Sequence, residues 1–255
     1  MKLSYADLIS PLPYRTNIGS IKSPTLREIW NLGYSNYQFY LMILSLSPKS
    51  YCYEVNKSLK NWFDGLSDEE KTSINMIDVC QIDGDLAIQL QNILDFSFIE
   101  DVTWNSEYGF FVVQKDRKDS ESIVGVINSN LWKDVCDIIC QLNNITVKED
   151  VSTIKSKKAK SIMEKILAGR KKLSDKKEGN KNYELDNAVS AIANRHPSIN
   201  ILNVWDLTIS QFWDAFKRTI NNNIYDLSST SVSVWGDENH QFDSEGWFSN
   251  MENDN

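Results

Sequence analysis

A strongly basic run between Lys155 and Lys181 is the feature that most constrains how this chain can fold. The run holds eleven Lys and Arg against three Asp and Glu, a net charge of +8, and contains no aromatic residue. Its larger apolar residues form one short helical stripe, Ile162, Met163, Ile166 and Leu167, followed by Leu173. Because so many like charges cannot be buried together, the run predicts a solvated segment that divides the chain in two.

The segments on either side have the composition of folded domains. The 255-residue chain is 41% hydrophobic, holds eight Trp, ten Tyr and ten Phe, and has a net charge of −8, which is typical of a globular protein rather than a disordered one. We expect an N-terminal domain over residues 1–150, a basic helical connector over 151–182, and a C-terminal helical domain with an acidic, aromatic tail over 183–255. No apolar stretch approaches the roughly 18 residues that a membrane helix needs, so no membrane partner is predicted.

Helix signals dominate the first hundred residues. Ser23-Pro24 predicts an N-cap followed by Pro at the first helical position, and Gly33 predicts a break. Ser67 with Glu70 three residues later predicts a capping box, and the break at Asp83-Gly84 precedes another apolar periodic run. These signals predict several helices that share an apolar core.

The patterning changes to β type between residues 102 and 127. Residues 102–104 and 110–113 are β-branched or aromatic and flank a five-residue turn, which predicts a hairpin. Ile123–Ile127 predicts a third strand, and helical spacing returns over 131–142. The expected fold class is α+β: mostly helical, with N-terminal helices packed on a small antiparallel sheet.

Two helices are expected in the C-terminal part. The first extends from Leu185 to a stop at His196-Pro197. The second begins at Asn203 or Asp206, and its periodic apolar face ends at Asn221-Asn-Asn223. The remaining tail is polar and acidic but contains several aromatic residues. Such residues usually pack against a folded domain or a partner.

No motif for catalysis or cofactor binding is present. The sequence lacks the phosphate loop, the dinucleotide fingerprint, the nucleophile elbow and the metalloprotease motif. Its two His, His196 and His240, are expected at a helix end and in a solvated loop, and Asp83-Gly84-Asp85 lacks the further ligands of a calcium loop. We expect no enzyme, no cofactor and no metal site, and buried thiols rather than disulfides at Cys52, Cys80, Cys136 and Cys140.

Two features allow more than one interpretation. The basic run is interpreted as a solvated linker, with docking to a protein as the alternative; nucleic-acid binding is disfavoured because there is no aromatic stacking platform and the rest of the chain is acidic. The aromatic residues Trp205, Phe212, Trp213 and Phe216 either form a core or line a groove for a partner helix.

A series of short motifs runs through the C-terminal third: residues 188–194, His196-Pro-Ser-Ile-Asn200, Val204-Trp-Asp-Leu-Thr-Ile-Ser-Gln-Phe212, Lys217-Arg218, Tyr225-Asp226, Trp235-Gly236 and Trp247. This series resembles the C-terminal region of the tail assembly chaperone-type proteins of phages that infect Firmicutes. The opening of the chain resembles that group more loosely, through Pro13-Tyr14, residues 23–29 and residues 33–37. The matching positions are of packing and turn type, not catalytic.

The resemblance implies a non-enzymatic protein of the host cytoplasm, made late during virion morphogenesis. It would bind the phage tape-measure protein and keep it soluble, with self-association and contact with the tail-tube protein as further expectations. The alternative is a structural protein of the tail or baseplate. The partner-binding residues predicted on this basis are Trp205, Phe212, Trp213, Phe216, Trp235 and Trp247.

Overall fold

The computed structural model describes residues 2–119, 121–145, 184–237 and 242–249. The chain divides into two compact units, Met1–Thr146 together with Asp206–Gln211, and Val147–Trp205 together with Phe212–Asn255. The described residues are mostly helical with small antiparallel sheets, so the predicted α+β class is confirmed. The basic connector expected over 151–182 lies outside the described residues.

The N-terminal unit contains nine described α-helices, most of them short. They are α1 (Tyr5–Ile9), α2 (Leu26–Leu32), α3 (Tyr34–Ser45), α4 (Pro48–Ser50), α5 (Lys60–Gly65), α6 (Asp68–Ser73), α7 (Met76–Cys80), α8 (Gly84–Ser97) and α9 (Ser129–Leu142). A π-helical turn (Tyr51–Val55) follows α4 directly, and a 3₁₀ turn (Lys57–Leu59) precedes α5.

Side-chain caps determine where these helices begin. The capping box predicted at Ser67 and Glu70 is confirmed at the start of α6. The cap predicted at Ser23 is wrong by two residues, because Thr25 caps α2 in a capping box with Glu28. Gly33 ends α2 with a φ of 88°, a left-handed conformation that glycine adopts without steric cost.

The predicted hairpin and third strand are confirmed. Strands β3 (Asp101–Asn105), β4 (Phe110–Gln114) and β5 (Ile123–Ile127) form an antiparallel sheet in that order, and β1 (Tyr14–Thr16) pairs with β2 (Gly19–Ile21) in a separate hairpin. Val102, Val113 and Gly125 are cross-strand neighbours, and a Cβ atom added to Gly125 would lie 2.5 Å from Ile18 Cα. Only glycine therefore lets the β1–β2 turn approach the sheet this closely.

The core of the N-terminal unit lies between the helices and one face of the sheet. Fully buried side chains come from α7, α8 and α9 and from the inward positions of the strands, including Ile77, Leu90, Phe111 and Ile139. All four cysteines are buried free thiols, as predicted.

A short segment from late in the sequence completes this unit. Within Asp206–Gln211, the Leu207 carbonyl accepts from Leu26 N–H at 3.0 Å, and Ile209 N–H donates to the Pro24 carbonyl at 2.8 Å. Ser210 Oγ donates to the carbonyl of Leu142 at 2.7 Å, one of the carbonyls at the end of α9 that have no partner within the helix. The segment was expected in the C-terminal domain, but these long-range contacts place it in the N-terminal unit.

The described residues of the C-terminal unit contain two α-helices. Helix α10 (Leu185–Arg195) ends at His196 as predicted. Helix α11 (Ile209–Trp235) begins in the segment just described and continues from Phe212 through the C-terminal unit. Short 3₁₀ turns lie at Val204–Asp206 and Gly246–Phe248.

Helix α11 begins later and ends later than the sequence predicted. Its first turn is capped by Thr208 and Gln211, which exchange side-chain to backbone hydrogen bonds at 3.1 and 3.2 Å, rather than by Asn203 or Asp206. It does not end at Asn221-Asn-Asn223 but continues to Trp235, where Gly236 adopts a φ of 80° and donates its N–H to the Val232 carbonyl at 2.8 Å.

Candidate protein-binding face of the long helix

The six aromatic residues predicted to bind a partner are not equivalent in the structure. Phe212 is fully buried, so it supports α11 from within and offers no surface to a partner. Trp205, Trp213 and Phe216 are half-buried. Trp235 and Trp247 are exposed and remain candidates for a partner surface.

The aromatic residues of the first part of α11 pack on one another. The Phe212 and Trp213 rings are 5.1 Å apart, and the Trp213 and Phe216 rings are 5.6 Å apart, both in edge-on arrangements. Edge-on aromatic pairs are favourable beyond the area that they bury. This group therefore serves as local packing, with only the outer parts of Trp213 and Phe216 accessible.

The second half of α11 exposes a row of apolar side chains that the sequence analysis did not single out. Its members are 41% to 81% exposed: Ile220, Ile224, Leu227, Val234 and Trp235. With exposed Ser231 they recur at spacings of three and four residues, which places them within an arc of about 100° on one side of the helix. We call these six residues the apolar face.

The opposite side of the same helix packs within the C-terminal unit. The Tyr225 ring lies 5.5 Å from the Phe242 ring. Arg218, two turns earlier on that side, donates to the Ser249 carbonyl at 3.0 Å. Residues 242–249 thus cover the far side of α11, and the apolar face is not covered by the described part of this unit.

The borders of the apolar face are polar but uncharged. Asn221 and Ser228 lie along one border, and Asn223 and Thr230 along the other. Between Ile220 and Trp235 the charged side chain is that of Asp226, which points about 100° away from Leu227 around the helix axis, and Lys217 lies one turn before Ile220 on the side of the face. An exposed apolar row of this length with no charge from its own helix along its borders is typical of a helix-pairing surface.

Side-chain hydrogen bonds support α11 where its sequence is a weak helix former. Thr230 Oγ1 donates to the Asp226 carbonyl at 2.7 Å, and Ser233 Oγ donates to the Ser229 carbonyl at 2.8 Å. Such bonds to the preceding turn are compatible with a helix. Sequence signals for the longer helix did exist, because no Gly or Pro lies between Pro197 and Gly236.

Outside this helix, the buried carboxylate of Asp83 accepts four hydrogen bonds. Its Oδ2 accepts from Tyr51 Oη at 2.8 Å and from Asn56 Nδ2 at 2.7 Å, and its Oδ1 accepts from the N–H groups of Asp85 and Leu86. Tyr51 and Asn56 lie on the same side because the π-helical turn aligns residues five apart. Asp83 therefore caps α8, which begins at the break that the sequence predicted at Asp83-Gly84.

The ionisation of these buried groups fits a structural role. Burial raises the pKa of the Asp83 carboxyl, but the hydrogen bonds from Asn56, Tyr51 and the two backbone N–H groups outweigh it and hold that pKa below its ordinary value. Burial raises the pKa of the Cys140 thiol to about 11 and raises the pKa of the Cys136 thiol well above its ordinary value. Both thiols are therefore protonated at neutral pH and are poor nucleophiles.

The described residues contain no group of three or more His, Cys, Asp or Glu arranged to hold a metal ion. Among the same residues, no helix has the length and apolar character required to cross a membrane. His196 is the C-cap of α10, where its Nδ1 accepts from the Ile199 N–H at 3.1 Å, whereas His240 lies outside the described residues.

The comparisons with known proteins concern the part of the chain that carries the apolar face. No curated protein and no solved structure matches the chain significantly. Residues 175–252 match the family model described as the YomV second domain, which covers less than a third of the 255 residues. The C-terminal part of the chain, including all of α11, is therefore similar to the YomV second domain.

Proposed function

We propose that this protein is a non-enzymatic phage tail assembly chaperone that binds the tape-measure protein in the host cytoplasm and keeps it soluble. The observation that carries the proposal is the apolar face of α11, which is exposed over four helical turns. The resemblance of residues 188–255 to such chaperones supports the same interpretation.

An apolar face of this kind suits a helical partner with an apolar stripe of its own. Side chains that recur every three or four residues interlock with those of a second helix. A tape measure implied by the resemblance is a long, largely helical chain with such stripes, and it aggregates when they are exposed. Covering the stripes with α11 removes apolar surface from water on both partners.

The exposed area sets the strength of a single contact. Full burial of a large apolar side chain contributes about 1.5–3 kcal/mol, so five partly exposed ones contribute about 5–10 kcal/mol. Association itself costs about 4–15 kcal/mol. One copy therefore binds weakly, and stable coating requires a long partner that offers many neighbouring sites.

Co-expression with the tape-measure protein of the same phage tests the proposal. We expect a large soluble complex by affinity capture and size-exclusion chromatography, and an insoluble tape measure when it is expressed alone. Leu227→Glu places a charge in the middle of the apolar face and should abolish capture. The matched control is Asn222→Glu, an exposed position on the opposite side of α11, which should capture normally.

Two outcomes would overturn the proposal. One is the absence of any complex with the wild-type protein. The other is equal capture by both Glu variants, which would move the binding site away from the apolar face. Mass spectrometry of purified virions addresses the alternative, since a chaperone is absent or present in traces, whereas a structural tail protein is stoichiometric.

A further inference from the structure

The end of α10 brings a positive charge to one border of the apolar face. Arg195 donates from both Nε and Nη2 to Asn223 Oδ1, at 3.2 and 2.6 Å. Asn223 lies on that border, between Ile220 and Leu227 along α11. Asn223 itself is uncharged, but the guanidinium that it holds is always charged. Because Arg195 is exposed, this charge lies at the surface, beside the apolar side chains.

Lys217 brings a second positive charge to the opposite border. It lies one turn before Ile220 and about 120° from Asn223 around the helix axis, and the two residues are about 9 Å apart along that axis. Ile220 and Ile224 lie between these two directions. The first half of the apolar face is therefore flanked by Lys217 on one side and by Arg195 on the other.

Carboxylates of the described residues do not neutralise these two cations. Neither Arg195 nor Lys217 forms an ion pair within that part of the chain, whereas Arg218, on the far side of α11, lies 3.9 Å from Asp214. Asp226 points away from the apolar face. The start of the face is therefore positively charged, although the whole chain has a net charge of −8.

We propose that the partner of the apolar face is an amphipathic helix with acidic residues on both flanks of its apolar stripe. Residues six apart on a helix lie about 9 Å apart along the axis and about 120° apart around it. Two carboxylates at that spacing match Arg195 and Lys217 while the stripe covers Ile220 and Ile224. Charges that flank an apolar stripe commonly determine which helices pair. The inference rests on the proposed function and specifies which kind of tape-measure segment is bound.

Synthetic helical peptides test the proposal by fluorescence anisotropy with the full-length protein. One peptide carries an apolar stripe flanked by two glutamates six residues apart. The control peptide has the same composition, with both glutamates moved to the side opposite the stripe. At low salt we expect the flanked peptide to bind about tenfold more tightly, because two ion pairs form at the border of an apolar contact. In about 0.5 M salt this preference should disappear.

Two substitutions assign the preference to the two cations. Arg195→Gln and Lys217→Gln should each reduce it about threefold, and the double variant should abolish it without changing the affinity for the control peptide. Lys133→Gln removes an exposed cation from α9 and should keep the full preference. Circular dichroism verifies that the variants are folded. Equal binding of the two peptides, binding of neither, or a preference that survives in the double variant overturns the proposal.

Two other occupants of the face are tested with the same proteins. A second copy would bring cations rather than carboxylates, so Leu227→Glu should leave the sedimentation equilibrium of the protein unchanged. Vesicles of phosphatidylglycerol should not bind the protein, because its net charge is negative. Self-association that Leu227→Glu abolishes, or vesicle binding that the double variant abolishes, overturns the proposal.

The inference and the proposed function fail separately. A protein that captures the tape measure but binds both peptides equally contradicts the inference alone. A protein that prefers the flanked peptide but captures no tape measure contradicts the chaperone proposal alone, because the peptide measurement requires no second protein.

Discussion

Replacing Asp83 with Ala should cost the N-terminal unit about 3 kcal/mol of unfolding free energy. The carboxylate caps α8 through two backbone N–H groups, and loss of such a cap costs about 1 kcal/mol. Tyr51 Oη is buried and would lose its acceptor, which costs about 1–3 kcal/mol. The Asn56 amide is more accessible and adds less.

Equilibrium urea unfolding followed by circular dichroism measures this loss. The control is Asp85→Asn at the next position but one, an exposed residue in the first turn of α8. It should lose only the interaction with the helix dipole, about 0.3–1 kcal/mol. If Asp83→Ala loses no more stability than this control, the buried network does not stabilise the unit as argued.

The Asp83 carboxyl should make the unfolding free energy of the N-terminal unit depend on pH. Its pKa is below the ordinary value of 3.8 in the folded protein, so its contribution is present in full above that value and is lost as pH falls through the lower, folded-state pKa. The stability difference between wild type and Asp83→Asn should therefore be constant from about pH 5 to 7 and shrink below about pH 4. A difference that grows as the pH falls would contradict this sign.

Four further substitutions test other parts of the structure. Phe212→Ala should cost about 3–5 kcal/mol in urea unfolding, whereas Leu227→Ala, at an exposed position, should stay within about 0.5 kcal/mol of wild type; similar losses would contradict the contrast. Gly125→Ala should cost at least about 1–3 kcal/mol, because its Cβ would meet Ile18 Cα; an unchanged melting temperature would argue against this close approach. Ser210→Ala should cost about 1 kcal/mol and speed amide exchange in the last turn of α9; unchanged exchange would refute its capping role.

Local patterns were sufficient to predict the sheet and several helix starts. The hairpin at 101–114 follows from alternating β-branched and aromatic residues around a polar turn, and the cap at Ser67 follows from a side chain three residues away. Both depend on neighbours in the sequence, so a single sequence contains the necessary information.

The structural features that the sequence analysis did not predict depend on residues distant in the sequence or on segments of weak helix formers. Ser23 and Pro24 were predicted to start a helix, but Ser23 Oγ donates to the Leu142 carbonyl and the Pro24 carbonyl accepts from Ile209, contacts that no local pattern shows. The apolar face was missed because the Asn and Ser residues of α11 are weak helix formers, so the sequence did not predict that the helix continues beyond residue 223. Four residues of the predicted aromatic set lie in α11, namely Phe212, Trp213, Phe216 and Trp235, and the ring of Phe212 is buried.

The segment Asp206–Gln211 has a consequence for how the protein is made. During synthesis the first 146 residues emerge from the ribosome without the six that complete their unit. About sixty more residues must follow before that segment exists, which takes about 3–12 s at ordinary elongation rates. Until then the Leu142 carbonyl at the end of α9 lacks the Ser210 hydroxyl as a donor, and the Leu26 N–H lacks the Leu207 carbonyl as an acceptor. A nascent chain stalled before residue 206 should accordingly be more sensitive to protease than one released after residue 211.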